Sequence, residues 1–491
     1  MKLRSISIAC AFALAIPVSA SAGDVDLNKL YSGANRVQQA DLAHMSRDEI
    51  RLAGMRMFTK PFIASEGFGD GNDANPTGVQ TERGSIQGNG TFQRIGGLDG
   101  QACLECHSII SRRTVPMKFG IGGVGGINTT VLGAGGNTFV DLDLAGRSGG
   151  DTKKNIDGRV INPPFIFGAG GVEQLSNEMT IELQAQIAAA PTGATTALSA
   201  KGVDFGSITK DAAGDIIVDG DGNALGAEGT FNLNPSSDDF MVVAPFGRKG
   251  SEKTTRTFDT GALSFHMGMQ VDNGVDHDND GIVNEVTEGE LSVLSVFVAT
   301  AQSPFAKRPN RKARQGRQLL NDIGCTECHI PKLETNSKLL GFRSPEIAQD
   351  PTANVHTSVD LTKKPMHFKK NHQGGVTVPL FADLKRHYMG ADLAEFNGDA
   401  MFTTGRLWGI ADTAPYLHDG RALTLTDAIK MHGQADSDAF DAVNNFNGLS
   451  NSDQEAVLAF LDTLRSPNGT FHKLNKLAKK VAKQQGHHND D

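Results

Sequence analysis

The chain has 491 residues, room for roughly two to four domains at ~100–200 residues each; 38% are hydrophobic and 21% charged, the balance of a soluble globular protein. A formal charge of −9 leaves no global basic field for nucleic acid, and no apolar run is long enough for a stable membrane span. The 57 glycines argue for long loops and turns rather than a plain helical bundle.

In chain order, the first predicted element is an export signal over residues 1–22. "MKLR" is a basic n-region, "SISIACAFALAIPV" an apolar h-region, and "SASA" a small-x-small cleavage pattern ending at Ala22. The h-region is too short to be a spanning anchor, and Cys10 lies inside it rather than at its end, where a lipidated cysteine would sit. Cleavage removes Lys2 and Arg4 and takes the charge from −9 to −11. The expected location is the periplasm.

Residues 28–60 read as largely helical, with Ser46 and Glu49 in "SRDEIRLAGMRMF" forming a capping box ahead of apolar residues at helical spacing. A Gly/Asn-rich stretch over 66–100 leads to "CLECH" at 103–107, and 119–150 is Gly-rich with short β-like pieces. "NEMTIELQAQIAAA" is a helix candidate. Residues at about 195–240 read as a β-hairpin insertion, its β-branched runs split by Gly/Asp turns such as "DGDGN". "ELSVLSVFVATAQ" is a helix that closes the first half.

"SPFAKRPNRKARQG" carries two prolines and a basic run, which puts a domain boundary near 303–312. Beyond it, "KARQGRQLLNDIG" is a helix running into "CTECH" at 325–329, and "SDQEAVLAFLDTLR" is an amphipathic helix able to pack back on it. Residues 473–491 form a basic tail, read as a solvated end in preference to a docking surface.

Of five cysteines, Cys10 leaves with the signal and the other four all lie in the two C-x-x-C-H motifs. An exported protein would ordinarily pair an even set as disulfides. C-x-x-C-H, however, is the attachment signature of c-type haem: two thiols about one helical turn apart add to the porphyrin vinyls, and the adjacent histidine ligates iron. One such pentapeptide arises from this composition with a chance of about one in a thousand, so two are not accidental. Two covalent haems follow, one bound by Cys103, Cys106 and His107, the other by Cys325, Cys328 and His329. The fold class expected is mainly α: two cytochrome-c-like haem domains, over 23–303 and 304–472, with Gly-rich loops and a small β insertion in the first.

At "GRLWGIADTAPYLHDGRALTLTDAIKMHG", residues 405–433, the sequence resembles the bacterial di-haem cytochrome c peroxidase superfamily, and within it the di-haem oxidoreductase branch. "PPFIFGAGGVEQL", "VVAPFGRKG", "ALSFHMGMQ", "DNDGIVNEVTEGEL" and "FADLKRHYMG" resemble the same branch, so the likeness touches most of the chain from about 50 to 465. The superfamily also holds enzymes that oxidise a protein partner and enzymes that cleave polyisoprene with dioxygen, so fold and haem count transfer better than substrate does.

The resemblance implies one fully ligated relay haem and one haem facing the oxidant. In the peroxidase pattern the relay ligand lies fourteen residues after the histidine of "PYxHDG"; from His418 that is His432, with Met431 the rival. A His/His pair would lower the potential relative to His/Met. His418 is expected near a haem propionate, and His387 and Met389 in supporting positions beside a haem. The first iron is open, or capped by His266, Met267 or Met269. Cleaving a peroxide bond needs a proton-transferring group, for which Glu173 and Glu178 are candidates, with Arg159 steadying a propionate or developing charge. For either glutamate, a plain helix-surface carboxylate is an equal alternative. Trp408 and Tyr416 serve either as an electron relay or as aromatics packed on porphyrin.

"DHDNDGIVNE" sets Asp276, Asp278 and Asp280 ahead of Gly281, as in a calcium loop, although position 12 is Thr287 with Glu285 and Glu288 flanking it. Three carboxylates so close repel unless a cation neutralises them, so calcium is a possible second cofactor, a solvated acidic turn the alternative. The leading function is reduction of a small oxidant, hydrogen peroxide ahead of dioxygen, with electrons from a small donor protein such as a cytochrome or cupredoxin. They would enter at the haem of His329 and pass to that of His107. The alternatives are oxygenase or protein-oxidising chemistry at the same iron, and a pure electron carrier with both irons closed.

Overall fold

The structure, a computed structural model, describes residues 36–68, 102–103, 107, 163–263, 267, 269–271, 282–394 and 399–467. The signal, Arg159, Cys106, His266, the acidic triad Asp276, Asp278 and Asp280, and the basic tail lie outside the described residues.

The first helix, α1 (Arg47–Thr59), starts where the sequence says it should. Ser46 accepts from the Glu49 backbone N–H, and the Glu49 carboxylate accepts from the Ser46 N–H at 2.7 Å. The helix α2 (Ala169–Ala189) begins after Gly168, whose φ of 76° favours glycine. Helix α3 (Thr255–Ala262) is capped by Thr254, and α4 (Glu288–Ala299) by a Thr287–Glu290 box. Helix α4 is buried on nearly every side, and α1 crosses it at Gly54, where an added Cβ would stand 2.0 Å from the Val293 carbonyl oxygen. Only hydrogen at that position lets the two backbones approach so closely.

The hairpin β1 (Thr195–Ala200) and β2 (Val203–Thr209) is antiparallel and rests on α2. Short strand β3 (Phe305–Ala306) pairs with β11 (Leu464–Arg465), tying the end of the second half to the linker. Helix α5 (Arg311–Asp322) leads to the second cysteine motif and packs across α8 (Asn451–Leu461), as its pattern predicts. At the crossing, a Cβ on Gly316 would lie 1.7 Å from the Ala456 carbonyl oxygen. Between them come α6 (Leu425–Met431) and α7 (Phe440–Gly448).

The second half also carries strands that the sequence reading missed. These are β4 (Leu333–Glu334), β5 (Leu339–Arg343), β6 (Val355–Asp360), β7 (Lys369–Lys370), β8 (Val376–Val378), β9 (Arg386–Tyr388) and β10 (Met401–Thr403). The described fold is therefore mixed, with eight α-helices and five small sheets, rather than mainly α with a single β insertion. These strands run two to six residues, too short for alternation to show against turn residues.

Two apolar cores result. The first gathers α1, α2, α4 and the β1–β2 hairpin, together with Leu340, Phe342, Phe368, Val376 and Trp408 from beyond the linker. The second is smaller, formed by Ala313, Leu320, Ile323, Phe381, Phe446, Val457 and Phe460 with the flanking Cys325, Leu407 and Ile410. No helix among the described residues is long and apolar enough to cross a membrane.

Candidate haem sites

His329 follows a 3-10 turn over Cys325–Glu327 that starts at Gly324, and its backbone N–H bonds to the Cys325 carbonyl at 2.9 Å. Its Nδ1 lies 3.1 Å from the carbonyl oxygen of Phe381. A carbonyl only accepts, so Nδ1 carries the hydrogen and Nε2 keeps a lone pair. Phe381 holds a φ of 54°, uncommon for a residue with a side chain, and its ring packs on Phe460 at 5.8 Å.

His432 caps the C-terminus of α6 and presents the same tautomer, its Nδ1 2.6 Å from the Ala428 carbonyl oxygen. Burial pushes His329 down to about 4, the Phe381 bond opposes this, and a charge on nearby His432 would lower it further. Burial lowers His432 as well. Both imidazoles are thus neutral at pH 7, the state that ligates a metal.

Beside this pair, burial pushes the Cys325 thiol up to about 11, with Cys328 adding to the shift. The Cys328 sulfur lies 3.9 Å from Nδ1 of His387, whose Nε2 is 2.7 Å from a buried Asp383 oxygen. The other Asp383 oxygen accepts from the Lys385 N–H and the Thr404 hydroxyl at 2.9 and 2.7 Å. Burial opposes a charge on His387, but its bonds to Asp383 and Cys328 win and raise it to about 10. Among the described residues Cys328, Asp383 and His387 are also brought together as a compact set of donor atoms.

His418 stacks on Phe402 with ring centroids 4.5 Å apart, and the Lys249 ammonium sits 3.6 Å over the Phe402 ring. Trp408 is buried between Phe368 and Gly168, and its indole Nε1 has no hydrogen-bond partner. Two residues earlier, Arg406 donates from Nη1 to the Pro245 carbonyl at 3.1 Å, and burial lowers it to about 10. Tyr416 is half-buried and bridges to Ala422 through the backbone.

At the first motif the His107 N–H bonds to the Cys103 carbonyl at 2.9 Å, and its Nδ1 lies 2.9 Å from the Pro164 carbonyl oxygen. Nε2 is again left with its lone pair. Phe58 of α1 lies 6.5 Å from the His107 ring and 5.3 Å from Phe297 of α4. Met267 and Met269 are buried within the first core.

The two glutamates of α2 differ. Glu178 is fully engaged, accepting from the Asn336 and Ser337 N–H groups at 2.6 and 2.9 Å and from Gln174 at 2.7 Å, with the Lys201 ammonium at 2.7 Å. Glu173 is 2% exposed, and among the described residues its carboxylate accepts from Thr255, backbone and hydroxyl, at 2.9 Å each. Burial raises it to about 7. Asp259 of α3 is also buried, has one oxygen without a partner, and is raised well above the carboxylate range by burial, with Glu173 adding to the effect. Sequence reasoning missed Asp259, Asp383 and Arg406. A charged residue facing inward on a short amphipathic helix is the only local signal Asp259 gives. Of the acidic loop's flanks, Glu285 is buried and accepts from the Gln270 N–H at 2.7 Å, while Glu288 pairs with Arg256.

Residues 260–464 match the family model described as "Di-haem oxidoreductase, putative peroxidase", so the recognition made from the sequence motifs holds over that stretch. Among curated proteins, the chain is similar to "Cytochrome-c peroxidase IdrP2" of Denitromonas iodatirespirans, 26% identical over 144 residues. That match covers 29% of this chain and spans about a third, 36%, of the relative. Among solved structures, similarity extends to a hydrazine synthase of Kuenenia stuttgartiensis pressurised with xenon. The identity is 13% and the TM-score 0.31, over 88% of this chain and 97% of that one. A MauG-like protein associated with microbial copper homeostasis shows 14% identity and a TM-score of 0.27, over 61% of this chain and 89% of that one. At such scores the likeness fixes neither fold nor function.

Proposed function

We propose, on the premise that residues 260–464 are a di-haem oxidoreductase segment, that the protein is a periplasmic two-haem c-type enzyme reducing hydrogen peroxide. The observation that carries this reading is the shared state of three histidines. His107, His329 and His432 each commit Nδ1–H to a backbone carbonyl, which fixes the ring and leaves Nε2 for iron. His329 and the neighbouring His432 would hold a haem attached at Cys325 and Cys328, and His107 one attached at Cys103 and Cys106, so these residues suit two haems. When bound, the haems would store and pass electrons one at a time and would supply the iron at which the oxidant is reduced.

The protein's own residues supply the rest. His432 is preferred to Met431 as second ligand because its ring is already anchored. The His387–Asp383 pair fixes the setting of Cys328. Reduction of hydrogen peroxide to two waters consumes two electrons and two protons. Glu173, whose pKa burial raises to about 7 and which is backed by Asp259, is the group assigned to hold and deliver a proton; Glu178 is already saturated and holds the turn before β5. Arg159 is assigned to steady developing charge, and Asp276, Asp278 and Asp280 to hold calcium. A small cytochrome or cupredoxin would feed the haem at His329.

The test is stopped-flow mixing of fully reduced holoprotein with hydrogen peroxide. Oxidation of both haems by one equivalent of peroxide, with turnover sustained by a small reduced electron-donor protein, supports the proposal. Haems that stay reduced in excess peroxide would refute it.

A further inference from the structure

We infer that Arg406 and the indole N–H of Trp408 form the binding pair for a propionate carboxylate of the haem attached at Cys103 and His107; this rests on the two-haem reading above. Trp408 is 2% exposed and its Nε1 donates to nothing. An indole N–H can only donate, so burying it unpaired costs free energy comparable to a lost hydrogen bond. Arg406 has five N–H donors and, among the described residues, makes one hydrogen bond, to the neutral Pro245 carbonyl at 3.1 Å, with no carboxylate within ion-pair distance. A cation and an unpaired donor two residues apart, with no anion beside them among the described residues, suit an acidic acceptor from outside the chain. A planar carboxylate suits both, since guanidinium recognises it with paired donors.

The placement selects the first haem. Trp408 packs into the first core against Gly168, where an added Cβ would stand 2.6 Å from its Cη2 atom. Gly168 closes the same short segment whose Pro164 carbonyl holds His107. The neighbouring Leu407 and Ile410 turn instead to the second core, beside Cys325. Residues 406–410 therefore touch both halves, with Trp408 on the side of the first motif. A cation held against a propionate favours the reduced, less positive haem and so raises that haem's midpoint potential.

The experiment is a spectroelectrochemical titration of the full-length holoprotein and its Arg406→Gln, Arg406→Lys and Trp408→Phe variants, with haem content read by pyridine haemochromogen. Wild-type protein lacking two covalent haems would sink the underlying reading itself. Given two haems, the expected result is a downward shift of the midpoint of the singly ligated haem in Arg406→Gln. The other haem stays fixed as internal reference, Arg406→Lys restores most of the shift, and Trp408→Phe gives a smaller shift in the same direction. Unchanged midpoints in Arg406→Gln at full haem content, whatever its melting temperature, would make Arg406 a purely structural cation and overturn the inference. So would a shift confined to the other haem, or a Trp408→Phe variant indistinguishable from wild type.

Discussion

His329 donates its Nδ1–H to the carbonyl of Phe381, fifty-two residues further along the chain, at 3.1 Å. That bond joins the cysteine motif to a backbone held at positive φ, and it turns the lone pair of Nε2 into a preset ligand.

If His432 supplies the second ligand, replacing it has a defined spectral consequence. His432→Ala should convert one low-spin haem to high spin with haem content unchanged, and His432→Met should raise that haem's midpoint, because axial methionine raises potential. Electronic absorption, EPR and redox titration check this; retention of the wild-type low-spin signal in His432→Ala would point to Met431 instead.

Glu173 carries the pH prediction. Its folded-state value, about 7, is raised above its ordinary value of 4.5, so the native state binds the proton more tightly than the unfolded chain does. The stability from the protonated form is complete below about 4.5 and is lost progressively as pH rises toward about 7. Wild type should therefore lose on the order of 3 kcal/mol relative to Glu173→Gln across that window, read from urea unfolding at several pH values. The same substitution should lower peroxide turnover about 100-fold or more, since it removes the proton donor.

Glu178→Ala should behave oppositely. It strips the acceptor from two backbone N–H groups and leaves the Lys201 ammonium, 7% exposed, with Glu182 alone. A loss of about 3–5 kcal/mol is expected in denaturation. The peroxide response per haem should stay at the wild-type level; a selective loss of turnover at intact stability would instead place Glu178 in the chemistry.

Gly316 sets how closely α5 approaches α8. Gly316→Ala puts a methyl group where the Ala456 carbonyl oxygen stands, 1.7 Å away, and the helices must separate. Overpacking of this kind costs about 1–3 kcal/mol, measured as a lowered melting temperature. A variant as stable as wild type would contradict the described crossing.

What the sequence made legible was local chemistry. The Ser46–Glu49 box and the two cysteine motifs are each written within a few residues, so spacing alone located them. Asp259 was invisible because its setting depends on Ser295 and Glu173, far along the chain, and Asp383 because its burial and its bond from Thr404, twenty-one residues on, leave no mark on the short Asp383–His387 spacing. The strands from Leu333 to Val378 escaped for a related reason. They are stabilised by pairing and, for all but the exposed Lys369–Lys370, by burial of Leu333, Leu340, Phe342, Val359, Val376 or Val378 in the first core.

The most direct test of two haems in unlike ligation is EPR of the purified ferric holoprotein, before and after addition of hydrogen peroxide. The account predicts one low-spin signal from a bis-histidine haem, unmoved by peroxide, and one high-spin signal that peroxide abolishes. Two low-spin signals, both inert to peroxide, would contradict it and leave the protein an electron carrier.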